Sequence, residues 1–420
     1  MQPQGRAAGS RLMDSIVTKT VFPNGLKVVT ERIPYVRSVS LGVWIKAGSR
    51  TDAIEEMGMA HFIEHMLFKG TEKRTVFDIA DSLESLGGSL DAFTDRDITC
   101  YSASVLDEHL IQAVDVLSDI LTHSLFLPID IEREKLVVHE EIRSSNDNPE
   151  ELVQDVFGDC VLNPDAASKP ILGTFETVEK FQRINIIEYM SIHYSPCNIV
   201  IAAAGNIEHN ELVELISSYL MLDRKKSDFT IQEVIQNTDS KIILKKDILQ
   251  SHLCFGGRTF GYTDNRRTVL WLMNTILGNG MSSRLFQNIR EKYGLTYNIY
   301  SFIELLQSLG FITTYAATEK KNLDRTLELI LKEYKRLTKQ KIDEDTLFRA
   351  KSQLKGSLIL GLESTSNRMN RLAKQEILLD KYSDIYDTIT QIDAVTSAMI
   401  QEIAEEIFNV SYLKTVIVTS

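Results

Sequence analysis

Cysteine is scarce in this 420-residue chain: Cys100, Cys160, Cys197 and Cys254 stand far apart, with no C-x-x-C pair. That excludes a disulfide framework and a cysteine-rich zinc site, and it reads as reduced thiols in a reducing, cytoplasmic setting. Proline, at 8 residues, leaves little room for long proline-rich linkers. No stretch approaches the ~18 consecutive apolar residues of a spanning helix, so no membrane role is expected. The opening MQPQGRAAGSRLMDS lacks the apolar run of a secretory signal, and residues 1–16 read as a disordered or vector-derived N-terminus. Basic residues do not dominate: 46 Lys and Arg face 58 Asp and Glu, a net charge of −12, which argues against a general nucleic-acid binder. No G-x-x-x-x-G-K-[ST] motif is present, so the glycines of GNGMSSRLF at 278–286 read as a turn, not a phosphate loop.

What is present is ordinary globular usage, 43% hydrophobic and 25% charged, over a length that suits two or three domains. A Pro-Asn-Gly turn inside 17–32 predicts a β-hairpin, and SVSLGVWIKAGS at 38–49 predicts another strand. GMAHFIEHMLFKG carries apolar residues at helical spacing. Further helices are predicted at 75–86, 107–123 and 129–157, strands at SLDAFTD and ITCYSASV, and a buried strand at 198–207. The second half echoes this order. Leu110, Val114 and Leu117 fall 213 residues before Leu323, Leu327 and Ile330, and Ile129-Asp130 precedes Ile342-Asp343 by the same offset. The chain therefore reads as α+β in two similar halves, 17–225 and 235–420, each a mixed or antiparallel sheet packed with helices, with the joint in 221–240.

His61, Glu64 and His65 form H-x-x-E-H on a predicted helix. Positions i and i+4 share a face, so both imidazoles can reach one metal ion, and Glu64 stands at the edge where a general base could take a proton from water. The order reverses the commoner H-E-x-x-H and matches the inverzincin pattern. Imidazole with carboxylate suits Zn²⁺, without excluding Co²⁺ or Mn²⁺. A catalytic site needs a third ligand. Glu134 and Glu141, seven apart on DIEREKLVVHEEIRSS, are both candidates, one to ligate and the other to orient an imidazole, and Glu140 stays open beside them. At the repeat offset, positions 61, 64 and 65 fall near Asn274, Leu277 and Gly278, so the second half has no metal triad and one zinc per chain is expected.

HFIEHMLFKGT at 61–71, GGSLDAFTDRD at 87–97 and the glutamate helix together resemble the pitrilysin (insulinase-like, M16) metallopeptidases, over essentially all of 17–420. The branch is the short bacterial one, similar to the catalytic subunit of mitochondrial processing peptidase; a mitochondrial matrix location is the less favoured alternative to bacterial cytoplasm. The fold implied is the one shared by LuxS and M16 peptidases. The resemblance makes Glu141, 76 residues after His65, the third ligand, and Glu134 the acid behind the imidazole. It makes Arg290 and Tyr297, within NIREKYGLTYNIYS, a pair that stabilises the oxyanion at the zinc site of a facing half.

Gly88, Asp91, Ala92, Phe93 and Thr94 resemble the family's substrate-receiving edge strand, where a peptide is held by main-chain bonds. Asp91 replaces a usual asparagine and would put negative charge near the zinc. The implied activity is zinc-dependent endopeptidase cleavage of extended or unfolded peptides in a chamber closed by a homodimer. The rivals are a non-catalytic scaffold and a processing subunit needing a different partner. Should acidic residues line the chamber, basic peptides would be favoured.

Overall fold

The computed structural model describes residues 16–220, Leu222, Ile231 and 239–420. The expected N-terminal tail falls outside the described residues except for Ile16, which opens the first strand; most of the expected joint also lies outside them.

In the first half, β1 (Ile16–Val21) and β2 (Lys27–Arg32) flank the predicted turn, where Gly25 takes φ +91°. There follow β3 (Ser38–Ile45), α1 (Met59–Met66), α2 (Val76–Glu84), β4 (Ser89–Thr94), β5 (Thr99–Leu106) and α3 (Leu110–His123). Next come α4 (Pro128–Asp147), α5 (Pro149–Leu162), α6 (Phe175–Glu179), α7 (Arg183–His193), β6 (Ile199–Gly205) and α8 (His209–Tyr219). The sheet runs β1-β2-β6-β3-β5-β4, with β2 and β6 parallel and every other pair antiparallel. All seven residues of β6 are buried, as a central strand's apolar run requires.

The second half comprises β7 (Lys241–Lys245), β8 (Ser251–Phe260), α9 (Arg267–Gly278), β9 (Thr296–Leu305), β10 (Leu309–Thr318) and α10 (Leu323–Lys339). It closes with α11 (Glu344–Gly361), α12 (Thr365–Leu379), α13 (Ile385–Ala394), α14 (Ser397–Ile407) and β11 (Lys414–Thr419). Its sheet order, β7-β11-β8-β10-β9, repeats β2-β6-β3-β5-β4 strand for strand, including the one parallel pair. Leu110 opens α3 and Leu323 opens α10, so the predicted offset marks equivalent helices. The fold is α+β with two homologous halves.

The structure corrects the single helix expected at 129–157. It is two helices, parted at Asn148, whose backbone is extended and whose side chain accepts from Glu150 N, with Pro149 as the first residue of α5. The break redirects the chain. Beyond it, α5 packs on the sheet of the other half, burying Val153, Phe157 and Val161 against Phe311, Tyr315 and Val416. Reciprocally, α12 buries Met369, Leu372 and Ala373 against Trp44, Val200 and Ala202 of the first sheet. Each half thus lends a helix to the other. Burying a large apolar side chain of this kind is worth about 1.5–3 kcal/mol, so the exchange fixes how the halves sit.

Candidate metal centre

The helix that carries the histidines is held at its start. Gly58 takes φ +92°, and a Cβ there would stand 2.7 Å from Leu172 O, so glycine is required. The Asp52 carboxylate accepts from Gly58 N at 2.8 Å and Ala60 N at 3.3 Å, satisfying amides the helix start leaves free. Burial pushes the Asp52 carboxyl up to about 7, against those hydrogen bonds. Phe62, Ile63 and Met66 anchor α1 in the core. His61 and His65, one turn apart, stand with ring centroids 4.6 Å apart.

Helix α4 packs against α1 and brings both glutamates. Glu134, buried, accepts from His65 Nδ1 at 2.7 Å, and its other oxygen pairs with Lys69 Nζ at 2.6 Å. Two turns on, Glu141 places Oε1 3.6 Å from His65 Nε2 and Oε2 3.6 Å from His61 Nε2. Donor atoms of His61, His65 and Glu141 all lie within 4.8 Å of one another. Two ligands bound about 2.0–2.2 Å from one tetrahedral ion stand roughly 3.4 Å apart, so the spacing suits a zinc-sized ion. Glu141 Oε2 is buried without a hydrogen-bond partner, an oxygen that a cation would satisfy. Glu140, the open alternative, is turned to solvent and pairs with Arg143.

Burial, then the neighbouring His65, pushes His61 down to about 3. Burial opposes a charge on His65 as well, but the Glu134 hydrogen bond and the surrounding carboxylates outweigh it and raise its pKa. For Glu134, burial is outweighed by the His65 and Lys69 hydrogen bonds, and its pKa falls. Glu64 lies beside the trio. Thr94 Oγ1 donates to its Oε2 at 2.6 Å, and burial raises its pKa despite that bond. Its other oxygen makes no hydrogen bond among the described residues.

Thr94 ends β4, which is an edge of its sheet: it pairs with β5 on one side and with no strand on the other among the described residues. The segment read as a substrate strand is therefore open to a further strand. Gly88 precedes it where a Cβ would meet Val105 Cγ1 at 2.8 Å. Leu90 and Ala92 pack on the core beneath α1, and Thr94 faces Glu64. Asp91 and Phe93 alternate to the opposite face, where Phe93 meets Trp44 edge-on with centroids 5.5 Å apart. Asp91 thus stands on the face away from Glu64, and its charge does not point at the metal residues as its position in the sequence had suggested.

Arg290 and Tyr297 do come together. The guanidinium lies 5.1 Å from the Tyr297 ring centroid, on a π-helical turn (Phe286–Glu291) beside β9. Tyr297 is 79% exposed. Neither residue contacts the metal trio within the chain or lines the cleft beside it.

That cleft, about 570 Å³, is lined by His61 and Glu141 and then by Glu151, Asp155 and Asp159 of α5, with Arg96 at its back. Burial pushes Asp159 up to about 6 and raises Asp155 as well. Arg96, buried, pairs with Asp159 at 3.1 Å and with Glu304 of β9 at 3.2 Å. Sequence reading missed these carboxylates, although their i, i+4, i+8 spacing after Pro149 puts them on one helix face.

In the second half, α9 takes the place of α1. Gly278 stands at the offset of His65, and a Cβ there would lie 2.4 Å from Ser301 N. No imidazole fits.

Comparison with known proteins agrees with this division. The model of the insulinase family (peptidase family M16) matches residues 27–174, and that of the peptidase M16 inactive domain matches 180–354. An uncharacterized zinc protease of Bacillus subtilis (strain 168) is 37% identical over 94% of this chain and 97% of its own length. One from Mycobacterium leprae (strain TN) is 36% identical over 97% of this chain and 93% of its own. A protease of Helicobacter pylori, solved by crystallography, shares the fold with a TM-score of 0.89 at 20% identity, over 97% of this chain and 100% of that one. Two matched halves and relatives of nearly full length make the chain a member of the insulinase family of peptidases, family M16.

Proposed function

We propose that the chain is a zinc-dependent endopeptidase acting on extended or unfolded peptides added to the free edge of β4. The observation that carries this is the convergence of His61, His65 and Glu141 on one point, with Glu64 beside them and an open sheet edge next to Glu64. His61, His65 and Glu141 would hold the ion, which supplies Lewis acidity to polarise a peptide carbonyl and acidify water. Glu64 takes the proton of the attacking water and passes it to the leaving amide nitrogen; its raised pKa suits a group that must both accept and give. Thr94 holds Glu64 Oε2 and leaves Oε1 for that task. Main-chain bonds to β4 position the peptide by its extension. The carboxylates of α5 favour a basic side chain beside the scissile bond.

Arg290 and Tyr297 act on the oxyanion of a facing site. Neither lines the cleft at the metal trio within one chain, which favours an enclosure made by two chains, and we take the second to be another copy of this one. A processing enzyme with a different second subunit is the competing reading. The test is the purified chain with a basic unfolded peptide, with and without chelator, against Glu64→Gln. Cleavage by the wild type alone, lost with chelator and in a Glu64→Gln variant that still binds zinc, supports the proposal. Cleavage by Glu64→Gln at the wild-type rate overturns it. Activity that appears only with an added, different chain favours the competing reading.

A further inference from the structure

Away from the metal centre, α9, α11, α12 and α13 enclose another cavity, of about 310 Å³. Arg267, Arg371 and Lys374 reach into it, and no aspartate or glutamate lines it, in a chain of net charge −12. The two guanidiniums are held in place by neutral oxygens. Arg371 Nη2 donates to Ser383 O at 2.6 Å and to Thr388 Oγ1 at 3.3 Å. Arg267 Nη1 donates to Asp264 O at 3.2 Å, while the Asp264 carboxylate is taken by Arg266. Among the described residues no carboxylate lies within ion-pair distance of Arg267, Arg371 or Lys374. Asp95, whose charge Lys374 feels, lines an adjoining crevice and not this cavity.

One wall is aromatic. The Trp271 and Tyr262 rings meet with centroids 6.3 Å apart, and the Arg267 guanidinium sits 5.2 Å from the Tyr262 ring. Three cations that share a cavity lined by no carboxylate are only partly offset, by Asp95 and Asp264 outside it, and an anion placed between them lowers their mutual repulsion. Guanidiniums already braced by carbonyl and hydroxyl oxygens keep donors free for a planar carboxylate or a phosphate. The indole offers a flat apolar face next to them. The volume lies at the lower end of the range for small-ligand sites.

We propose that this cavity binds a small organic anion that joins a carboxylate or phosphate monoester to a flat ring, the head group among Arg267, Arg371 and Lys374 and the ring against Trp271. The site is independent of the peptidase reading. Its place has a consequence, because α12 carries Arg371 and Lys374 on one side and Met369, Leu372 and Ala373 in the apolar layer of the first half on the other. A ligand here braces the helix that spans both halves.

The test is calorimetric titration of the full chain with four probes: AMP, indole-3-acetate, inorganic phosphate and indole. AMP or indole-3-acetate binds one per chain and raises the melting temperature, and the tighter of the two identifies the head group. Inorganic phosphate and indole, each carrying half of the recognition, bind at least about tenfold more weakly. Arg371→Gln and Lys374→Gln each weaken the better probe by about tenfold. Arg371 also braces Ser383, so the Arg371→Gln variant could lose its fold; Lys374 is exposed, and Lys374→Gln then decides. Failure of both ring-bearing probes to bind, equal binding of inorganic phosphate, or unchanged affinity in Lys374→Gln overturns the proposal.

Discussion

His65 donates Nδ1–H to Glu134 at 2.7 Å, and this one bond decides which nitrogen of the ring faces Glu141. With Nδ1 protonated, Nε2 carries the lone pair, and the imidazole is set for a metal ion before one arrives. Glu134→Gln keeps the shape but weakens the acceptor. Zinc affinity should fall by about 10–100-fold, read by competition with a chelating dye. An unchanged affinity would show that Glu134 does not orient the ring.

Metal binding should also depend on pH in a specific way. His65 has its pKa raised above the ordinary histidine value, whereas His61 is pushed down to about 3. Below the ordinary histidine value of about 6.5, and while His61 is still neutral, the metal therefore displaces a proton from His65 but none from His61. Affinity should weaken as pH falls through the raised pKa of His65, by about tenfold per pH unit. A slope of two protons over that range would mean that both imidazoles are charged in the free protein.

Arg96 is the counter-charge where the cleft meets the second half. Its partners Asp159 and Glu304 come from α5 and β9, and its Nη1 also donates to Lys169 O at 3.1 Å. Arg96→Leu leaves two carboxylates without a cation, and loss of one partner of a buried pair costs about 3–5 kcal/mol. Urea unfolding measures it, and a loss under about 1 kcal/mol would show that water already screens the cluster.

Gly278 should resist substitution. The Cβ of Gly278→Ala would press on the Ser301 backbone, which as part of β9 has no room to retreat. The expected loss is about 1–3 kcal/mol, the ordinary cost of overpacking. Stability within about 0.5 kcal/mol of wild type would show that the strand gives way.

The metal helix was legible because its chemistry is local: His61, Glu64 and His65 span little more than a turn, and helical periodicity places them without tertiary knowledge. The repeat was legible through one offset that starts both α3 and α10. The choice among Glu134, Glu140 and Glu141 was not, since a helical wheel puts 134 and 141 on one face and says nothing of which meets an imidazole and which a lysine. Only the family resemblance brought Arg290 and Tyr297 to notice, and the chain joins them to each other and not to the metal trio. The exchange of α5 and α12 was illegible for a different reason. An amphipathic stripe states that a helix will be covered, not by which sheet.

That exchange makes neither half a separable piece. Expressed alone, residues before β7 would expose the wall that α12 covers, and residues from β7 onward would lack the wall that α5 supplies. Denaturation should therefore run as a single cooperative event across both halves. Through two traded helices the similar halves are one thermodynamic body, in which damage to either sheet is felt by both.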